Sequence, residues 1–300
     1  MLFTKLGMLS VNAWKRIITV TVLAVILALI FGVFWGVHRN HALKAEIEEL
    51  TAVDIEEEAG EIADEASQAD LPGYASLYPD LYVDNDFVYD ALEPEKVCYL
   101  TFDDGPAPGY TEKVLNILDD YDVKATFFVV YNDSDEADAL YQRMVNSGHA
   151  IGVHTASHNY SKIYSSVDNY LKDFEKVSSY VESVADYKPE IFRFPGGSIN
   201  SYNIGNYMDI ISEMLRRGYT YYDWNVSSGD AASSVVSKED IVKHSVNGAL
   251  KTSRAVILMH DGRGHKSTVE ALPEVIKKLK AEGYEFRTLS KEVKPVWFGY

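Results

Sequence analysis

Val97-Cys98-Tyr99-Leu100-Thr101-Phe102-Asp103-Asp104-Gly105-Pro106 is the stretch that decides the fold: an uncharged, apolar run that ends in two carboxylates and a Gly-Pro turn. Short runs of the same kind recur downstream. They predict strands at Val97 to Phe102, Ala125 to Val130, Ala150 to His154, Ile191 to Phe194, Tyr219 to Trp224, Ala255 to His260 and Tyr284 to Thr288. Between them the apolar spacing lengthens and predicts helices at Thr111 to Tyr121, Asp135 to Asn146, Val167 to Val184, Asn206 to Arg217, Lys238 to Leu250 and Thr268 to Glu282. Regular alternation of β and α units implies a parallel sheet. No G-x-G-x-x-G follows the first strand, so the expected class is α/β, a deformed (β/α) barrel of about seven parallel strands over residues 96–300.

Upstream of the barrel the chain changes character twice. Ile17 to Val37 is an uncharged stretch of 21 residues, long enough to cross a hydrocarbon core as a helix. It exceeds a signal-peptide apolar region and no A-x-A-like site follows, so an uncleaved transmembrane anchor is expected over 17–37. Lys5, Lys15 and Arg16 precede the span and Arg39 and Lys44 follow it, which puts residues 1–16 in the cytoplasm and the barrel outside. Leu43 to Asp70 sets apolar residues at three-, four- or five-residue intervals among Glu and Asp, and reads as an acidic stalk. After Leu71-Pro72-Gly73 a Tyr- and Asp-rich connector completes the segment assigned to 38–95.

The formal net charge of −17 is concentrated in that segment. Ala45 to Glu95 holds 17 acidic residues and no basic one, so the remaining 28 acidic and 28 basic residues cancel. Such a balance argues against a nucleic-acid partner. The only cysteine, Cys98, sits in the first apolar run and reads as a small buried hydrophobe; no intramolecular disulfide is possible.

In a barrel of alternating β and α units, reactive side chains collect at the C-terminal ends of the strands. Here those ends carry Asp103-Asp104, His154-Thr155-Ala156-Ser157-His158, Arg193-Phe194-Pro195-Gly196, Asp223-Trp224 and His260-Asp261. Taken singly each is ordinary. Two aspartates before Gly-Pro are turn chemistry, two histidines four apart would share a helix face, and a histidine closing an apolar run can be a satisfied core residue. Their convergence on one rim is what points to a catalytic centre.

From Lys96 to Leu289 the chain resembles the polysaccharide deacetylase family, carbohydrate esterase family four, through Thr-Phe-Asp-Asp-Gly-Pro, His-Thr-x-x-His, Arg-Phe-Pro-Gly and Leu-x-His in that order. The resemblance implies hydrolysis of the acetamido group of N-acetylhexosamines with a divalent metal, zinc or another such as cobalt or nickel. It implies Asp104, His154 and His158 as ligands, a set that suits a catalytic zinc with open positions. Asp103 would be the general base, Arg193 its partner, Gly196 with Pro195 the oxyanion loop, and His260 the acid that protonates the leaving nitrogen. Because neighbours on an extended strand point oppositely, Asp103 and Asp104 are expected just past the strand, where the chain turns.

One motif departs from the family. Where many members carry Asp-x-x-Asp-Trp, this chain has Ser227-Ser228-Gly229-Asp230-Ala231. Asp230 and Asp223 are both candidates to partner His260, and Trp224 is a candidate for the missing pocket wall. An anchor, a stalk and a barrel of this kind suggest an envelope glycan as partner, peptidoglycan N-acetylglucosamine first. The alternatives are chitooligosaccharide or poly-N-acetylglucosamine, or a non-catalytic glycan-binding adaptor. The sequence leaves the oligomeric state open.

Overall fold

The computed structural model describes residues 71–84, 89, 96–232 and 236–298. The chain divides into two units, Met1–Leu71 and Pro72–Tyr300, and the description falls almost wholly on the second. The expected anchor over 17–37 and stalk over 43–70 lie outside the described residues. Among the described residues no helix is long and apolar enough to cross a membrane.

The sheet contains β1 Val97–Asp103, β2 Thr126–Val130, β3 Ala150–Thr155, β4 Ile191–Phe192, β5 Thr220–Tyr221, β6 Val226–Ser227, β7 Arg254–His260 and β8 Glu285–Phe286. The helices are α1 Thr111–Asp120, α2 Asp135–Asn146, α3 Tyr160–Ile163, α4 Val167–Ala185, α5 Tyr207–Arg216, α6 Lys238–Ala249 and α7 Lys266–Ala281. All ladders are parallel, in the order β5-β4-β3-β2-β1-β7-β6, with β8 pairing the start of β1. Seven strands therefore follow the path of a curled half-barrel, and the barrel expected from the sequence is corrected in one respect. No ladder joins β5 to β6 among the described residues. Beside β5 the C-terminal segment supplies bonds instead: Asp223 N donates to the Val296 carbonyl at 2.9 Å and Trp297 Nε1 to the Tyr221 carbonyl at 3.1 Å.

The two-residue period of the strands sorts the core and aims the chemistry. Cys98, Leu100 and Phe102 join the large cluster under the helices, whereas Val97 and Tyr99 join a smaller one with Phe128, Ile191, Tyr222 and Val256. Continuing the second column of β1 upward gives Thr101 and then Asp103. The same arithmetic on β7 runs from Val256 through Leu258 to His260, and the ladder sets Asp103 opposite His260. On β3 the column is Ala150, Gly152, His154. A Cβ at Gly152 would lie 2.6 Å from the Phe128 ring, so only glycine lets that ring fill the interior under His154; overpacking of such a contact costs roughly 1–3 kcal/mol.

Helix starts follow the sequence. Ser134, Ser166 and Ser237 each accept a hydrogen bond from the backbone N–H three residues on, at the heads of α2, α4 and α6. Residues 72–84, read from sequence as connector, are fastened to the body by a buried arginine. Arg217 donates to the carbonyls of Leu77 at 2.8 Å, Tyr78 at 3.0 Å, and Tyr74 and Leu81 at 3.3 Å, while its Nε meets Glu213 at 2.6 Å. Gly218 follows at φ 86°, where a Cβ would lie 2.2 Å from the Val83 carbonyl oxygen.

Candidate active site

Asp103 is the last residue of β1, not a residue beyond it as the sequence suggested, and Asp104 follows at φ 75°. This left-handed turn breaks the strand's alternation, so that Asp103 Oδ2 and Asp104 Oδ1 lie 4.0 and 3.5 Å from the same atom, His154 Nε2. His158 is also left-handed, at φ 48°, and its Nε2 lies 3.2 Å from Asp104 Oδ1. The two histidines therefore share no helix face: His154 is the last residue but one of β3 and His158 sits in the loop after it. Non-glycine residues held at positive φ store strain and concentrate at functional sites.

A carboxylate on α4 holds that loop in place. Asp173 Oδ1 accepts from Thr155 Oγ1 at 2.5 Å and from Ala156 N at 2.6 Å, its Oδ2 accepts from Ser157 N at 3.0 Å, and Thr155 Oγ1 accepts from His158 N at 3.2 Å. Sequence reasoning missed Asp173, because it lies on an amphipathic helix among other polar residues and most of its partners are backbone groups.

The donor set fits a metal ion. The ligand atoms of Asp104, His154 and His158 all lie within 4.8 Å of one another. Asp104 Oδ1 is buried and accepts no hydrogen bond, an orphaned acceptor that a cation would satisfy. His154 Nδ1 lies 2.8 Å from the Arg193 carbonyl, so the proton belongs on Nδ1 and the Nε2 lone pair faces Asp104. Burial pushes the Asp104 carboxyl up, but His158 and His154 outweigh it and hold it below the usual carboxylate range. A second grouping, Asp230, His260 and His265, is equally compact but has no orphaned oxygen. Asp230 Oδ2 accepts from His260 N and Thr268 Oγ1, both at 2.8 Å, and its Oδ1 faces His260 Nδ1 at 2.8 Å.

Asp103 and Arg193 form a buried ion pair, with Arg193 Nη1 2.9 Å from Asp103 Oδ1. Arg193 is fully buried and spends its other donors on Thr101 Oγ1 at 2.7 Å and the carbonyls of Tyr222 and Asp223 at 2.9 and 3.1 Å. A buried charge of this kind persists only when paired and fully hydrogen-bonded. Phe128 lies under the guanidinium at 4.2 Å and Trp224 at 5.8 Å, while Trp224 meets Phe298 edge-on. Trp224, suggested as a pocket wall, thus packs over Arg193.

The choice left open between Asp223 and Asp230 is resolved. Asp223 accepts from Ser198 N at 2.8 Å, Ser198 Oγ at 2.6 Å and Phe298 N at 2.8 Å, and so fixes the loop after Arg193. Asp230 is the partner of His260. Burial pulls the His260 imidazole down, but the Asp230 carboxylate outweighs it and the ring is pushed up to about 9. His265 stacks on His260 with ring centroids 5.1 Å apart. Pro195 is buried and its carbonyl accepts from Tyr164 Oη at 2.7 Å, which holds the loop ahead of the exposed Gly196 at φ 77°. One buried acid lies outside this chemistry. Asp261, beneath the Asp104-Gly105 turn, accepts from Thr111 Oγ1 at 2.5 Å, and burial raises its carboxyl to about 7.

The profile of the polysaccharide deacetylase family matches residues 91–210. A peptidoglycan-N-acetylglucosamine deacetylase of Bacillus cereus is 33% identical over 201 residues, which cover 66% of this chain and 70% of that protein. Among solved structures, the catalytic domain of a peptidoglycan N-acetylglucosamine deacetylase from Eubacterium rectale superposes with a TM-score of 0.66 at 35% identity, covering 72% of this chain and 99% of that one. A polysaccharide deacetylase from Bacillus cereus gives 0.60 at 33% identity, covering 68% and 97%.

Proposed function

The chain belongs to the polysaccharide deacetylase family, and on that premise we propose that it hydrolyses the N-acetyl group of N-acetylglucosamine residues in a cell-wall glycan, peptidoglycan first, and releases acetate. The observation that carries this reading is the register of Asp103 with His260 on adjacent strands, beside one carboxylate and two imidazoles that face one another.

Asp104, His154 and His158 would hold the metal, zinc by the nature of the donors. Bound there, such an ion supplies Lewis acidity towards water and the acetyl carbonyl. The remaining work falls to the protein's own groups. Asp103, fixed through Oδ1 by Arg193, offers Oδ2 to take a proton from the attacking water. The backbone N–H of Gly196, on an exposed loop, would meet the oxyanion. His260 has Nδ1–H committed to Asp230, which leaves Nε2–H to protonate the departing nitrogen, since an amide anion does not leave unaided.

Acetate release should be measured on peptidoglycan fragments and on chitooligosaccharides, with and without chelator. Wall fragments are expected to lose acetyl groups, and chelation to abolish the loss. Release from chitooligosaccharides alone would move the substrate to another N-acetylglucosamine polymer, and full release in chelator would remove the metal from the mechanism.

We also propose that the barrel lies outside the cytoplasmic membrane, a reading supported by the apolar stretch over 17–37, the basic residues before it and the acidic run after it. Protease added to intact wall-stripped cells should then release a barrel fragment. Protection until lysis would reverse the topology and leave the wall polymer out of reach.

A further inference from the structure

Past β5 the sheet has no further ladder among the described residues, and the segment from Val293 to Phe298 runs beside that strand without forming a helix or strand of its own. The barrel holds its backbone instead. Arg254 donates to the carbonyls of Lys294 and Pro295, Tyr222 Oη donates to the Val293 carbonyl, and Asp223 N donates to the Val296 carbonyl at 2.9 Å. Trp297 then stacks on Tyr221 with ring centroids 5.3 Å apart and 17° between the planes, and its Nε1 donates to the Tyr221 carbonyl at 3.1 Å. These contacts fix where the next residue arrives.

Phe298 arrives at the loop that follows Arg193. Its N–H donates to Asp223 Oδ2 at 2.8 Å, the oxygen that also accepts from Ser198 Oγ at 2.6 Å, while Asp223 Oδ1 accepts from Ser198 N at 2.8 Å. One buried carboxylate therefore joins the C-terminal segment to the loop. The half-buried ring of Phe298 lies directly on Gly197, where a Cβ would be 2.4 Å from the ring, and Gly197 is held at φ 86°. Both constraints require glycine. The same ring meets Trp224 edge-on at 4.8 Å, and Trp224 lies over Arg193, the partner of Asp103. Phe298 is thus in contact with the neighbour of Gly196 and, through Trp224, with the arginine that fixes the proposed base.

We propose that Phe298 is a positioning residue for the reaction: with its ring on Gly197 and its N–H on Asp223, it fixes the loop whose Gly196 N–H would meet the oxyanion. The proposal rests on the deacetylase reading for what the loop does, and on the contacts above for what holds it. The oxyanion exists only as the reaction proceeds, so a loosened loop lowers kcat and leaves KM nearly unchanged. Trp297 gives a matched comparison, because it bonds and stacks on Tyr221 of β5 and so fastens the same segment at a different place.

The test uses the full chain, zinc-supplied in detergent, with peptidoglycan fragments as the probe. Acetate release, metal content, thermal unfolding and deuterium uptake by the peptide spanning residues 194–198 are measured side by side. F298A is expected to keep one metal per chain, to lower kcat about 10- to 100-fold with KM within about threefold, and to speed deuterium uptake in that peptide. F298L, which refills most of the ring's space, should bring kcat back to within about threefold of wild type. W297A should show the opposite pattern, a Tm lower by about 2–6 °C with kcat within about twofold. Wild-type kcat and loop exchange in F298A overturn the proposal. So does loss of metal in F298A, or a parallel fall of kcat and Tm in F298A and W297A alike, which would reduce the ring to packing. If wild type releases no acetate, the deacetylase reading falls, and the exchange comparison alone decides whether Phe298 holds the loop.

Discussion

Asp103→Asn is expected to retain one metal per chain and to lose turnover by roughly 10²- to 10⁴-fold, the contribution typical of a positioned base. The argument is geometric. Asp103 Oδ1 is engaged with Arg193 at 2.9 Å, and its Oδ2 reaches no closer than 4.0 Å to His154 Nε2, whereas Asp104 Oδ1 lies within 3.5 Å of both imidazoles. An asparagine can still accept from Arg193 through its side-chain oxygen, so the buried guanidinium keeps its hydrogen-bond partner but loses its counter-charge, and some stability is expected to be lost with turnover. What asparagine cannot do is take a proton from water. His154→Ala, by contrast, deletes one of the three proposed ligands, the buried imidazole that faces Asp104, and should empty the site as well as stop turnover. Elemental analysis of dialysed protein separates the two outcomes. Should Asp103→Asn alone empty the site, the two aspartates have been assigned in reverse.

How far these roles were legible depended on which physical signal each residue carries. The ends of β1 and β7 were read to within a residue because both are seven-residue strands built on long, largely apolar buried runs. β6 was missed, and β4 and β5 were read too long, because a ladder of two residues has no period to detect. Missing β6 had a cost. Pairing of Val226 and Ser227 with Ile257 and Leu258 carries the chain on to Asp230 beside His260, and without that ladder Asp223 looked equally eligible. The residues that converge at the candidate metal centre were legible from their motifs, but the left-handed turns at Asp104 and His158 were not. Those conformations are imposed by tertiary contacts such as the Asp173 bonds to the backbone, and a backbone N–H has no letter in the sequence.

The second large effect is expected at the acid. His260→Ala should retain the metal and lose turnover by about 10²- to 10⁴-fold, since it removes the Nε2–H proposed to protonate the leaving nitrogen. Asp230→Asn tests the mechanism more sharply, because it leaves the imidazole in place and changes only its proton affinity. On His260 burial pulls the ring down, and the Asp230 carboxylate, with smaller help from Asp103 and Asp104, pushes it up, with a net result of about 9. The folded value is thus above the ordinary one of about 6.5. The acid is fully protonated below that ordinary value and is lost only as pH rises through about 9. Any stability contributed by the His260–Asp230 pair fades over the same window. In the wild type the alkaline limb of kcat/KM should therefore fall near pH 9. Removing the carboxylate leaves burial opposed only by the weaker Asp103 and Asp104 charges, so in Asp230→Asn the limb should move to lower pH and turnover at neutral pH should drop with it. Part of the loss should return as the assay is made more acidic, which a purely structural defect would not allow. An alkaline limb that stays near pH 9 in Asp230→Asn would assign it to some other group and remove His260 as the titrating acid.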